Sequence, residues 1–234
     1  VSLHLINLDG GPVVDVEWDR TEFEYLANVD WSDGGLIVTV QSRDQRRLQV
    51  LDVDIATGAT TVRFDDTDAT WVELVAGVPR LRSDGTLVTC ADREGARRLL
   101  VGDEIVTPAD LQVRSVASVS DDAIYVLANQ LDDATSVQVW RYDADGLTAL
   151  TDEPGMHAVA AGGGTVAVRT ATLDEPGGHW ETLEGIELTS FAADPVLRAR
   201  VHLSFHGDRR IATAVLLPRD HDGSPLPVLL DPYG

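Results

Sequence analysis

A serine nucleophile sits on a strained strand-to-helix turn, written Gly-x-Ser-x-Gly, with an acid and a histidine in reach. No such stretch occurs in this chain. Ser224, in "DGSPL", is followed by a proline and reads as a loop residue. His202 and His206 suggest a metal pair, but on a strand they share a face about 13 Å apart, at roughly 3.3 Å per residue. That is too far to share one ion. On a helix they would be neighbours, and the alternating, β-branched surroundings disfavour one. His4, His157, His179 and His221 lack Cys or carboxylate partners at ligand spacing. The expectation is no metal and no cofactor.

Glu22 and Glu24, in "TEFEYL", could bind an amine or serve as acid and base. Two residues apart, they share a face only on a strand, and here they flank Phe23 in a turn or short helix, so a solvated surface pair is expected. The cluster Asp65-Asp66-Thr67-Asp68 lacks the spacing and terminal bidentate glutamate of a calcium loop and reads as solvated loop charge. Cys90, the single cysteine, lies in a strand-like run (Leu87, Val88, Thr89) and reads as a buried, inert thiol. Trp31, Trp71 and Trp140 fall at strand positions and are expected in the core.

Something must position these residues, and composition bounds it. A chain of 234 residues with 44% hydrophobic content can bury a real core. A net charge of -21 excludes nucleic acid as a partner, because phosphate binding needs clustered positive charge. All 18 basic residues are arginine. One cysteine permits no internal disulfide, so no oxidising compartment is required and a cytoplasmic location is expected. No apolar stretch approaches the roughly 18 residues of a membrane span. The chain begins without Met, inside the apolar segment Val1 to Ile6, and is expected to be a piece of a longer protein.

The chain repeats itself. Four hairpin tips align, "ATGATTVRF", "VGDEIVTP", "ADGLTALT" and "LEGIELTS", with glycines Gly58, Gly102, Gly146 and Gly185 at steps of 44, 44 and 39 residues. A period of about 40 to 45 residues with four strands per unit is the signature of propeller blades. Each unit also carries an Asp- or Gly-rich turn between two apolar runs, as in "VDWSDGGLIVTV", "PRLRSDGTLVTC", "ASVSDDAIYVLA" and "HAVAAGGGTVAV". Leu36-Ile37-Val38 is apolar without alternation, which suits a strand packed on both faces. The helical period is almost absent, its best candidate being Arg20 to Leu26. The expected fold is all-β, a partial β-propeller of about four blades over residues 1–196.

After Pro195 the period breaks. Two alternating strands, Ala199 to Phe205 and Arg210 to Leu217, join at His206-Gly207-Asp208. The loop "LPRDHDGSPLP" then leads to Val228-Leu229-Leu230, which reads as a buried strand running into the turn Asp231-Pro232-Tyr233-Gly234.

Two stretches carry a resemblance. "YLANVDWSDGGLIVTVQSRDQRRLQVLDVDIATG", continuing to "TDATWVEL", resembles a late propeller blade of the dipeptidyl peptidase IV branch of the prolyl oligopeptidase family, in which a Trp-led strand precedes an Arg-x-Gln turn, here Arg43-Asp44-Gln45. "AVLLPRDHDGSPLPVLLDPYG" resembles the start of that family's α/β-hydrolase domain, where an apolar strand ends in Tyr-Gly-Gly-Pro. Asp231-Pro232 departs from the more apolar residues often found before the tyrosine. The resemblance implies that residues 197–234 are the connection and first strands of a truncated hydrolase domain. It implies too that Tyr233 donates its hydroxyl to the oxyanion of the tetrahedral intermediate in the intact enzyme. The nucleophile and the rest of the triad would lie beyond Gly234, and the glutamates that bind the substrate's amino terminus would lie in an earlier blade, a motif Glu22 and Glu24 do not occupy.

The function implied is that of a non-catalytic propeller portion of a serine exopeptidase that cleaves dipeptides from peptide N-termini, the propeller gating and positioning the peptide. The alternative is a stand-alone propeller that binds a protein partner. A carbohydrate-active propeller would need a carboxylate pair at the central channel, and none is evident. Open blade faces in a partial ring would favour a homodimer.

Overall fold

The computed structural model describes residues 1–175, 177–193, 195–196 and 200–231, and every regular element among them is a strand. A short hairpin, β1 (His4–Leu5) and β2 (Val14–Asp15), opens the chain. Four antiparallel four-stranded meanders follow. Blade one comprises β3 (Tyr25–Ser32), β4 (Gly35–Gln41), β5 (Arg47–Val53) and β6 (Thr60–Thr67). Blade two comprises β7 (Arg80–Leu81), β8 (Leu87–Arg93), β9 (Ala96–Val101) and β10 (Glu104–Ile105). Blade three is built from β11 (Leu111–Val119), β12 (Ile124–Gln130), β13 (Gln138–Asp143) and β14 (Gly146–Ala149). Blade four contains β15 (Met156–Gly162), β16 (Thr165–Ala171), β17 (His179–Thr182) and β18 (Glu187–Leu188). A separate hairpin, β19 (Arg200–His206) with β20 (Ile211–Leu217), comes last.

In every blade the strands pair in chain order, the pattern that short turns enforce. The glycines that set the sequence period sit at the turn between third and fourth strands, all with positive φ: 78° at Gly58, 59° at Gly102, 103° at Gly146 and 83° at Gly185. Gly58 has a second constraint, since a Cβ there would lie 2.0 Å from the Asp15 carbonyl oxygen. The opening hairpin therefore rests on the rim of blade one.

The second strands form the core. Leu36, Ile37 and Val38 on β4 are 3%, 1% and 0% exposed, so both faces of this strand are covered. Ile37 packs with Leu48, Val50, Leu81 and Leu87 at the seam between blades one and two. Leu36, Val38 and Val40 face the other way, against Val16, Phe23 and Trp18 of the opening segment. Val88, Leu99, Val113, Ile124 and Val126 fill the seam between blades two and three. Each such side chain stabilises by roughly 1.5–3 kcal/mol on full burial.

One open choice is settled and two expectations need correction. Arg20 to Leu26 is not helical: the Asp19 carbonyl accepts from Phe23 N at 2.9 Å and its carboxylate caps Thr21 and Glu22, giving one turn that stops where Tyr25 joins the sheet. Val228, Leu229 and Leu230 form no strand and are 80%, 93% and 83% exposed, because no strand among the described residues pairs with them. Trp31 and Trp71 are 62% and 57% exposed. Trp31 shares a face with Leu36, its register partner, but the opening segment covers Leu36 and leaves the tryptophan open. Trp71 belongs to the linker after β6, its indole nitrogen donating to Glu73 at 3.2 Å. Trp140, on β13, does pack against the second seam as expected.

Candidate functional site

The residues with chemical potential divide into structural pairs and one cavity. Glu22 forms an ion pair with Arg47, and Glu24 pairs with Arg43 at 3.2 Å. Arg47 also lies over the Phe23 ring, 5.2 Å from its centroid. The two glutamates are on the surface, as the sequence indicates, but each is engaged by its own arginine. They clamp the turn Ser42 to Arg46, where Gln45 takes φ of 59°. Gln45 O then accepts from Val72 N at 2.7 Å and Arg46 O from Asp68 N at 3.0 Å, fastening the linker to blade two. The Arg-x-Gln segment is thus an anchor for the inter-blade linker.

The acidic cluster is not free loop charge. Asp65, Asp66 and Thr67 close β6, and Asp66 is 8% exposed. Its Oδ1 lies 2.9 Å from Arg93 Nη2, while Asp65 accepts from Gln49 at 2.6 Å. A carboxylate this close to burial needs a cation, and the sequence period brings one from the next blade.

Cys90 sits in the second seam, where burial pushes its thiol pKa up to about 12. It is neutral and inert, as read from the sequence. His202 and His206 lie on β19 as expected, and His206 Nε2 is 2.8 Å from Ser204 Oγ. His157 is buried, its ring nitrogens 3.2 Å from Thr170 Oγ1 and 3.0 Å from the Glu153 carbonyl oxygen, so it ties the linker before β15 to β16. No group of three or more His, Cys, Asp or Glu that could hold a metal occurs among the described residues. Ser224 is an exposed turn residue whose N–H donates to Asp222. Tyr233 lies outside the described residues.

The cavity was not foreseen. It measures about 390 Å³ and lies between the first strand of blade one and the linker to blade two, lined by Asn28, Asp30, Val75, Gly77, Pro79 and Arg80 among others. First strands meet one another here, since β3 contacts β7. Ser32 Oγ donates to Leu81 O at 3.3 Å, which turns the Ser32, Asp30 and Asn28 side of β3 toward blade two. Asp30 Oδ2 is buried with no hydrogen-bond partner among the described residues, whereas Arg80 is exposed. A buried carboxylate oxygen without a donor is costly, and a ligand with an N–H would relieve it. The linker reaches this position only through Gly77, with φ of 87°; a Cβ there would lie 1.7 Å from Val116 O. Asp30 falls two residues after Asn28 in the quoted repeat, but nothing in the period distinguishes it from the aspartates of the turns.

The family described as Dipeptidyl peptidase IV (DPP IV) N-terminal region matches residues 1–175. Among solved structures, dipeptidyl peptidase 4 of Porphyromonas gingivalis superposes with a TM-score of 0.71 at 14% identity, covering 92% of this chain and 34% of that protein. A protein described as a dipeptidyl aminopeptidase IV from Bacteroides ovatus gives 0.69 at 12% identity, covering 94% and 38%. Prolyl oligopeptidase B from Galerina marginata gives 0.56 at 10%, covering 86% and 32%. At these identities the superpositions establish the fold, and the chain spans about a third of the length of the proteins it matches.

Proposed function

The chain belongs to the family of dipeptidyl peptidase IV N-terminal regions, and from that premise we propose that it is the propeller portion of a serine exopeptidase that removes dipeptides from peptide N-termini. The family match over residues 1–175 carries this reading. The propeller restricts access to the reaction chamber and holds the peptide in register, while chemistry belongs to a hydrolase domain of which residues 197–234 are the first part. Tyr233 donates to the oxyanion, a neutral group aimed at charge that develops only in the transition state. The cavity at Asp30 and Arg80 supports a positioning role, since one carboxylate and one guanidinium can grip the donors and carbonyls of an extended peptide.

The isolated chain associates with a copy of itself, because Leu173, Leu183, Ile186 and Leu188 in and around blade four are 57%, 49%, 62% and 47% exposed. A monomer by light scattering refutes this.

The test of function uses a dipeptidyl nitroanilide substrate. The 234-residue chain is inactive, and the full-length gene product is active. In the latter, Tyr233→Phe lowers kcat by about 10²–10³-fold, whereas Asp30→Asn raises KM with kcat little changed. Turnover by the 234-residue chain, or full activity in Tyr233→Phe, overturns the proposal.

A further inference from the structure

A second cavity, of about 330 Å³, opens on blade three, remote in sequence from the one at Asp30. Its walls come from the loop between β12 and β13 and the linker that follows β14. Trp140 and its register partner Ala149 belong to adjacent strands of the wall, and Gln138 and Thr151 stand one step farther along. These last two are fixed by each other: Thr151 Oγ1 donates to Gln138 Oε1 at 2.6 Å and accepts from Val139 N at 2.9 Å. Gln138 Nε2 in turn donates to Glu153 O at 2.9 Å. One side of the cavity is therefore preorganised.

The other side carries unspent hydrogen-bonding capacity. Asp133 uses Oδ1 to accept from both Thr135 N at 2.9 Å and Thr135 Oγ1 at 2.5 Å. That hydroxyl, helped by the Thr135 N–H, the Ser136 hydroxyl and the charge of Arg210, holds the Asp133 carboxyl below its ordinary range, so it is an anionic acceptor on the cavity wall. Asp152 is a second, exposed carboxylate on the rim, and Gln130 presents an exposed side-chain amide. Trp140 lines the cavity, and its indole N–H is buried with no acceptor among the described residues.

Three ligand chemistries can be weighed against this set. An anion is repelled by Asp133 and Asp152 and by a chain of net charge -21. An organic cation would satisfy the carboxylates but offers nothing to the Trp140 N–H or the Gln130 amide. A neutral polyol donates to carboxylates and accepts from N–H groups with the same hydroxyls, and its C–H face suits an aromatic wall. We propose that this cavity is a binding site for a neutral polyhydroxylated ligand, a saccharide unit, held by Trp140, Asp133, Asp152 and Gln130. The volume is at the lower end of the range for ligand sites, roughly 300–1,000 Å³, as befits one ring. The site is independent of peptide hydrolysis.

The test follows the indole N–H resonance of Trp140 in the ¹⁵N-labelled full chain, assigned by its loss in Trp140→Phe. Glucose, galactose, mannose, N-acetylglucosamine and maltose are titrated to 50–100-fold excess, roughly the range needed for millimolar affinity. The expected result is a saturable shift with at least one of them. Asp152→Asn, at an exposed position, weakens that affinity about tenfold while leaving the thermal melt in place. Silence of the Trp140 resonance to the whole panel overturns the proposal, as does a response to methylguanidinium chloride that no saccharide produces.

Discussion

Arg93 of blade two reaches across the seam to place Nη2 2.9 Å from Oδ1 of Asp66, whose side chain is only 10% exposed, in blade one. Arg93 itself is 36% exposed, so the guanidinium stays hydrated at one end while neutralising a nearly buried carboxylate at the other. This pairing follows from the repeat: the ends of β6 and β8 are brought side by side when two meanders stack.

Arg93→Met is expected to destabilise the chain by about 2 kcal/mol, because it leaves Asp66 with an uncompensated charge. Asp66→Asn in the same background recovers most of the loss. Urea unfolding of the four members of the cycle measures the coupling, and additive single effects would show that the pair is idle.

The thiol of Cys90 gives a pH dependence whose sign is fixed by burial. Its folded pKa is raised from 9.0 to about 12, so the folded state favours the protonated form. The associated stability is complete below pH 9 and is lost as pH rises from 9 toward 12. Thiol-specific reagents at pH 8 are expected to leave Cys90 unmodified until urea unfolds the chain. Labelling of the native protein within minutes contradicts that.

Gly77→Ala is expected to cost more than about 2 kcal/mol, since strain at φ of 87° adds to a Cβ placed 1.7 Å from Val116 O. The linker would shift and the Asp30 cavity with it. A thermal melt reports the first effect, and hydrogen exchange at Val116 N, which donates to Ala76 O at 2.9 Å, reports the second.

Blades two and three are latched at their first turns. The Ser83 hydroxyl and N–H both donate to the Asp121 carboxylate, and Arg82 donates to the Ser120 and Asp121 carbonyls at 3.0 and 2.7 Å. The Ser83 hydroxyl is the main cause that holds the Asp121 pKa below its ordinary value. A depressed carboxylate contributes stability that is complete above its unfolded value, about 3.9, and is lost below it as pH falls through the lower folded value. Ser83→Ala is expected to lower the melting temperature at pH 7 and to narrow the gap between pH 7 and pH 3.5. An unchanged gap means the latch does not titrate.

The repeat was the legible part of this protein. Glycines at Gly58, Gly102, Gly146 and Gly185 mark turns because positive φ leaves few other choices, and an unalternating run such as Leu36-Ile37-Val38 marks a strand covered on both sides. Sequence period locates strands but does not say which neighbouring surface is covered, and hence Trp31 and Trp71 were expected inside. It is also silent on cross-blade partners, so Asp66 read as solvent charge until Arg93 appeared beside it. Arg20 to Leu26 shows the same limit at short range, where a local capping turn yields to the sheet that begins at Tyr25. The cavities at Asp30 and Trp140 arise from linkers closing over strand faces, which leaves no trace in a one-dimensional pattern.

Among the described residues no strand belongs to two blades; each sheet is completed by residues adjacent in sequence before the next begins. Every ladder can therefore form as its own stretch of chain emerges from the ribosome, without waiting for a distant partner. The seams between blades carry side-chain packing and a few backbone bonds, such as Val137 N to Gly155 O at 2.9 Å and His157 N to Val137 O at 3.0 Å between blades three and four. Breathing at such a joint would break only these few bonds and leave the ladders of the blades on either side intact.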